Sequence, residues 1–323
     1  MIRREFITLL GGAAAWPLSV NAQQPTMPVV GFLSSLSASV TGKRVVSFGQ
    51  GLTEMGYVVG RDVMVEQRLA DGQYDRLPAL AADLVNRRVN LIAALAPPAA
   101  FAAKAATTTI PIVFIAALDP VKAGLVASLN RPGSNITGIT FIGARLGGKR
   151  LELARELVPN VGVIALLTHP RSPDALEELR ELQSDAKAIG QQLLVLSATS
   201  EDDLESAFAS MAQHGVRVLL IGQDPSLFQA GGQLVALAAK HRIPAIYGNS
   251  ELAAAGALIS YGARASQTRG GSRATMPDEF SRVLSLQTCR LYSRSSSIWL
   301  STSTLQRRSA SPSRRPCSLA PTR

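Results

Sequence analysis

The chain has 323 residues, 46% of them hydrophobic, with 33 basic and 23 acidic side chains and a formal net charge of +10. That length and apolar content suit two domains of ordinary size, while two cysteines, Cys289 and Cys317, exclude a disulfide framework for the main body. The charge does not argue for nucleic acid: residues 265–323 hold ten arginines against Asp278 and Glu279, whereas residues 1–264 carry 23 basic and 21 acidic groups, without a basic stripe that could track phosphates.

Met1-Ile2-Arg3-Arg4 is a charged start, and Ile7 to Leu18 is an apolar run too short to span a bilayer of about 30 Å. Small or compact residues follow at Val20-Asn21-Ala22. This order describes a secretory signal peptide over residues 1–22, cleaved after Ala22 to release a periplasmic chain beginning at Gln23. The paired arginines ahead of Glu5-Phe6-Ile7 resemble a twin-arginine signal, and the general export route is the alternative. No later segment is long and apolar enough to cross a membrane as a helix.

From Pro28 onward, short β-like runs alternate with amphipathic helices. Val29 to Leu33 predicts a buried strand, and Val45, Phe48, Leu52 and Met55 mark one face of the next helix. Strands follow at Val63 to Glu66, Asn90 to Leu95, Ile110 to Ala116 and Ile136 to Ile142, with helices between them. The pattern then restarts: a helix over Arg145 to Leu157, and strands at Val161 to Leu167, Gln192 to Leu196, Val216 to Ile221 and Ile243 to Tyr247. About five strands in the first half and four in the second, each followed by a helix, predict an α/β protein of two Rossmann-like lobes with parallel sheets. The first lobe is expected over 27–141 with a return segment at 257–264, crossing back near Gly256-Ala257. The second is expected over 145–252, with a hinge around 141–145.

Open parallel sheets bind ligands beyond the carboxyl ends of their strands, so two facing lobes place those loops around one cleft. The loops there contain Ser34, Ser35, Ala96-Pro97-Pro98, Asp119, Thr168-His169-Pro170-Arg171, Gln223-Asp224-Pro225 and Tyr247. Hydroxyls, an amide, an aromatic ring and a few charges suit a small polar or zwitterionic ligand. The predicted ligand-binding residues are Ser34, Ser35, Asp119, Thr140, Gln223 and Tyr247. Ser34, Ser35 and Thr140 would donate to a ligand carboxylate and Tyr247 would stack on an aromatic ligand. Asp119 either binds an amine or starts a helix as an Asx-Pro turn.

Catalytic and metal signatures are weak by comparison. Gly143 to Lys149 fits a phosphate-binding loop, but Arg150 stands where that motif needs Ser or Thr for magnesium. The pairs Glu177-Glu178 and Asp202-Asp203 read as solvated helical positions, with Asp202 as a cap. His169, His214 and His241 are isolated, as surface or loop-end histidines are. No nucleophile elbow or dinucleotide fingerprint is present, so the reading is of a non-enzymatic, monomeric protein without cofactor, metal or nucleic acid. Its alternatives are an exported α/β enzyme such as a hydrolase and a ligand-sensing receptor lobe.

Several words also match a known family in order. They are Gly51-Leu52, Gly56-Tyr57, Gly72-Gln73-Tyr74-Asp75-Arg76-Leu77-Pro78 and Ile110-Pro111-Ile112-Val113-Phe114. Asp119-Pro120-Val121 with Gly124-Leu125-Val126, Asn130 to Gly138, and Lys149-Arg150-Leu151-Glu152-Leu153 continue the series. Over about residues 1–262 the chain resembles the ABC-transporter substrate-binding proteins related to tryptophan/tyrosine importers. That resemblance implies a type I periplasmic-binding-protein architecture and two lobes that close on a small, amino-acid-like solute. It also implies delivery to a membrane permease and its ATPase. Where those relatives often carry a Gly/Thr-rich turn after the third strand, this chain has Ala96-Pro97-Pro98.

After Arg264 the apolar periodicity dissolves, with fourteen serines among residues 265–323. Such a stretch has too little contiguous apolar surface to offset an ordering cost of about 1–2 kcal/mol per residue. A disordered Ser/Arg-rich tail is therefore expected, of the kind a frameshift near codon 264 would produce.

Overall fold

A computed structural model describes residues 27–140, 146–253 and 255–262. The expected signal peptide, the hinge at 141–145 and the tail at 265–323 lie outside the described residues.

The first lobe is built on strands β1 (Val29–Ser34), β2 (Met64–Leu69), β3 (Leu91–Leu95), β4 (Ile112–Ala116) and β5 (Ile136–Thr140). They pair in parallel in the order β2-β1-β3-β4-β5. Strand β3 is buried along its whole length, because a parallel sheet is covered on both faces and its central strands carry continuous apolar runs. On one face, helix α1 (Ala38–Glu54) sets Phe48 and Leu52 against Phe32, Leu91 and Ile139. The other face receives Leu77, Leu84 and Ala103 from helices α2 (Leu77–Asn86) and α3 (Pro97–Ala106), packed on Leu33, Ile92 and Phe114. Each fully buried Leu or Phe contributes roughly 1.5–3 kcal/mol. Gly138 in β5 lies so close to Phe114 that an added Cβ would overlap the carbonyl of that residue.

The second lobe repeats the plan. Its strands are β6 (Val163–Thr168), β7 (Gln192–Ser197), β8 (Val216–Ile221), β9 (Ala245–Tyr247) and β10 (Ile259–Ser260), parallel in the order β10-β9-β8-β6-β7. Helices α4 (Gly147–Leu157) and α5 (Pro173–Ala188) bury Leu151, Ala154, Leu182 and Ala186 on one face. The other face is covered by Leu204, Phe208 and Met211 of α6 (Glu201–Gln213) and by Leu234 and Leu237 of α8 (Gly231–Lys240). The short helix α7 (Pro225–Gln229) precedes α8 and is capped by the Asp224 side chain.

Two local expectations are corrected. Helix α6 is capped by Ser200, whose hydroxyl accepts the Asp203 N–H while the Asp203 carboxylate accepts back. Asp202 therefore does not cap it, because the reciprocal box needs its acid three residues after the hydroxyl. Residues 257–262 do not turn back to the first lobe. Ile259–Ser260 pairs with Ile246 and Tyr247 as a fifth strand of the second sheet, one more than expected.

A candidate ligand cleft between the lobes

The strand-end loops of the two lobes meet face to face. On one side, the Tyr74 hydroxyl donates to Asp224 Oδ2 at 2.9 Å and its ring lies 4.5 Å from that of His169. The Ser37 N–H donates to Gln229 Oε1 at 3.0 Å nearby. On the other side, Lys122 Nζ lies 3.9 Å from Glu181, and the Glu177 carboxylate accepts the Asp119 N–H. Both seams join residues of the loops and helices that follow strands.

The six residues chosen from the sequence separate into two groups. Ser34 Oγ lies 3.1 Å from Thr41 Oγ1 and accepts the Leu36 N–H, so it shapes the turn after β1. Thr140 Oγ1 donates to the Leu118 carbonyl. Asp119 Oδ1 accepts the N–H groups of Val121 and Lys122 at 3.0 and 3.1 Å, the Asx-Pro geometry. The other three present unused polar atoms. Ser35 Oγ, Gln223 Nε2 and the Tyr247 hydroxyl are buried with no hydrogen-bond partner. Thr168 Oγ1, at the end of β6, shares that condition, as does Glu177 Oε2 at the seam. Buried polar groups are almost always paired, so several orphans at the ends of β1, β6, β8 and β9 call for an explanation. His241 Nε2 is also unpaired but packs on Phe208, away from the strand ends.

Fixed backbone holds these atoms in place. The Ser35 carbonyl accepts the Gly72 N–H, the Thr168 carbonyl accepts the Ala198 N–H, and the Tyr247 carbonyl accepts the Tyr261 N–H. The family model described as ABC transporter substrate binding protein matches residues 30–276. The chain belongs to this family. Among curated relatives, a tyrosine-binding protein of Clostridioides difficile is 26% identical over 216 residues, 67% of this chain and 61% of the relative. The match thus spans less than two thirds of that relative's length.

Solved structures place the substrate-binding protein in the same fold. A conserved domain protein from Vibrio cholerae aligns with TM-score 0.70 at 23% identity, covering 83% of this chain and 86% of that one. An ABC domain in complex with L-Trp from Streptococcus pneumonia aligns with TM-score 0.67 at 20% identity, over 83% and 85% of the two chains. A leucine binding protein from Thermotoga maritima aligns with TM-score 0.52 at 14% identity, over 72% and 67%. The architecture is that of type I periplasmic-binding proteins.

Several residues of this binding protein escaped the sequence reading. Glu178, expected on a solvated face, is buried at the centre of the second lobe, ion-paired with a buried Arg150. The signal was present: Glu178 falls on the same stripe as Ala175, Leu182 and Ala186, all buried. Arg150, discounted as a misfit in a phosphate loop, is that partner. His169 stands at a loop end as expected, yet it is buried, and its Nδ1 accepts the Arg171 N–H at 3.2 Å. Tyr74 stood in a family-matching word and Asp224 in a strand-end loop, with no signal that they meet, and Asp174, in the first turn of α5, carried none.

The electrostatics of the cleft follow from burial. Asp174 is pushed up to about 8, mainly because burial penalises its charge and secondarily because Asp224 is close. Burial also lowers the His169 pKa, which favours a neutral ring, and raises the phenols of Tyr74 and Tyr247, the latter to about 12. Arg150 falls only to about 10 and stays a cation. The described residues contain no cluster of acidic, histidine or cysteine side chains arranged for a metal. No described helix is long and apolar enough to cross a membrane.

Proposed function

We propose that this protein is the periplasmic, solute-binding component of an ABC importer, which captures an amino-acid-like solute between its lobes and hands it to a permease and its ATPase. The observation that carries this reading is that Ser35 Oγ, Thr168 Oγ1, Gln223 Nε2 and the Tyr247 hydroxyl, at the carboxyl ends of β1, β6, β8 and β9, are all buried and unpaired. Sites of this kind bury most of their ligand and orient it with a few placed polar groups.

All four groups are uncharged. Arg150, the buried cation nearest them, is already paired with Glu178. A solute carboxylate would therefore be held by hydroxyl and amide donors, and the unpaired Glu177 Oε2 is the acceptor available to an ammonium. The two lobe-to-lobe seams would form the walls of the closed site. The relatives named for tyrosine and bound to L-Trp make those two amino acids the first probes.

A thermal-shift series with L-tryptophan, L-tyrosine and the other amino acids tests the proposal. A solute at 100 times its dissociation constant adds about 2.7 kcal/mol of stability. The Gln223→Ala variant should lose most of any shift. An unchanged shift in Gln223→Ala would mean that the solute sits elsewhere.

A further inference from the structure

The ion pair Arg150–Glu178 lies in the second lobe with both side chains 1–2% exposed. A buried pair of this kind is weak evidence for stability, because desolvation of two charges can exceed their attraction. Its surroundings suggest another use. The second Glu178 oxygen accepts the Gln223 N–H at 2.5 Å, and the Arg150 guanidinium donates to the Ile221 carbonyl at 3.3 Å. Both bonds grip the backbone where β8 runs into the loop carrying Gln223.

The same pair touches the neighbouring strand ends. A Cβ built on Gly222 would stand 3.6 Å from Glu178 and 2.9 Å from the Leu167 carbonyl, just ahead of Thr168. One built on Gly248 would overlap both the Arg150 guanidinium and Gln223 Nε2, immediately after Tyr247. The ends of β8 and β9 therefore close on one buried ion pair, and the end of β6 adjoins Gly222. Each of these ends carries one unpaired polar group.

We infer that Arg150 and Glu178 are positioning residues, which set the Gln223 loop and, with it, the second-lobe half of the ligand site. The inference rests on the proposed solute-binding role but concerns a different set of atoms. Their bonds run within the lobe: Glu178 Oε1 is engaged by Arg150 and Oε2 by the Gln223 N–H, and the guanidinium donates to Glu178 and to the Ile221 carbonyl. Their effect on affinity is indirect, through geometry.

The experiment separates positioning from stability. Removing one partner leaves a buried lone charge and can unfold the lobe, so the informative variant is the double change Arg150→Met with Glu178→Leu. Replacement of buried ion pairs by apolar residues of similar volume is often tolerated. The variant should melt within a few degrees of the parent. Its dissociation constant for L-tryptophan or L-tyrosine, by calorimetry, should rise at least tenfold. Amide exchange at Gly222 and Asp224, whose bonds to the Leu167 and Gly222 carbonyls the substitutions leave in place, should quicken at least tenfold in the solute-free protein, with β8 amides unchanged. A double variant that folds, binds within twofold of the parent and keeps those amides protected would overturn the inference. If the parent binds neither amino acid, the proposed ligand class fails, and the exchange measurement on solute-free protein still decides the positioning role.

Discussion

Tyr74→Phe removes one hydroxyl and leaves the ring in place against His169. In the structure that hydroxyl donates to Asp224 Oδ2 across the two lobes, 150 residues away in the chain. Asp224 keeps its other partners, because Oδ1 accepts the N–H groups of Ser226 and Leu227 at 2.8 and 3.0 Å. The lost bond is therefore a single donor to a carboxylate, worth about 1.5–3 kcal/mol. If it forms only when the lobes meet, it weights the closed arrangement by roughly 10- to 100-fold, and its loss raises the apparent dissociation constant by up to that factor. Titration calorimetry with the solute that binds the parent reads the affinity, and small-angle scattering reads the lobe separation with and without solute. The variant should bind more weakly, by more than twofold and up to that factor, and scatter as a more extended particle, with little change in the melting of its lobes. Affinity within twofold of the parent and an unchanged scattering curve would refute the view that this contact holds the lobes together.

Tyr247→Phe and Thr168→Val should leave the solute-free melting temperature unchanged or raise it, since each removes a buried group whose unmet hydrogen bond costs about 1–3 kcal/mol, while solute affinity falls; a large loss of stability would show that these atoms are paired after all. Asp174, with its pKa pushed up to about 8, keeps its proton when folded at pH values where the unfolded chain has lost it. Its contribution to stability is complete below about pH 4 and fades as the pH rises toward about 8. Asp174→Asn should flatten the melting temperature across that range, and an unaltered pH profile would count against the shift. Ala96, at φ 75° and ψ 155°, occupies a backbone region that costs a residue other than glycine about 1–3 kcal/mol. Ala96→Gly should raise the melting temperature by a few degrees, after about 0.5–1 kcal/mol of glycine entropy is deducted; a fall would show that Ala96 is unstrained.

The fold was largely legible because its signals are local. Buried parallel strands such as Leu91–Leu95 read as apolar runs, and the stripe Ala175–Leu182–Ala186 reads as a helix face. The fifth strand of the second sheet was missed because Ile259–Ser260 is only two residues long, and it is defined by pairing with β9 and not by its own pattern. At the site, the loop positions of Ser35, Gln223 and Tyr247 followed from strand ends alone. Which polar atoms are left unpaired depends on contacts distant in sequence. Ser34 and Ser35 are adjacent and chemically alike, yet Thr41 engages only the first. Arg150 and Glu178 stand 28 residues apart on different helices, and no spacing rule joins them. The Ala96 strain has a readable cause, since Pro97 pushes the preceding residue toward an extended ψ, but the positive φ appears only in three dimensions.

The most direct test is a crystal structure of the protein grown with the amino acid that raises its melting temperature most. Solute between the lobes should lie within about 3.5 Å of Gln223 Nε2 and of at least two of the Ser35, Thr168 and Tyr247 hydroxyls. A solute bound elsewhere, with those four atoms still unpaired, would contradict it.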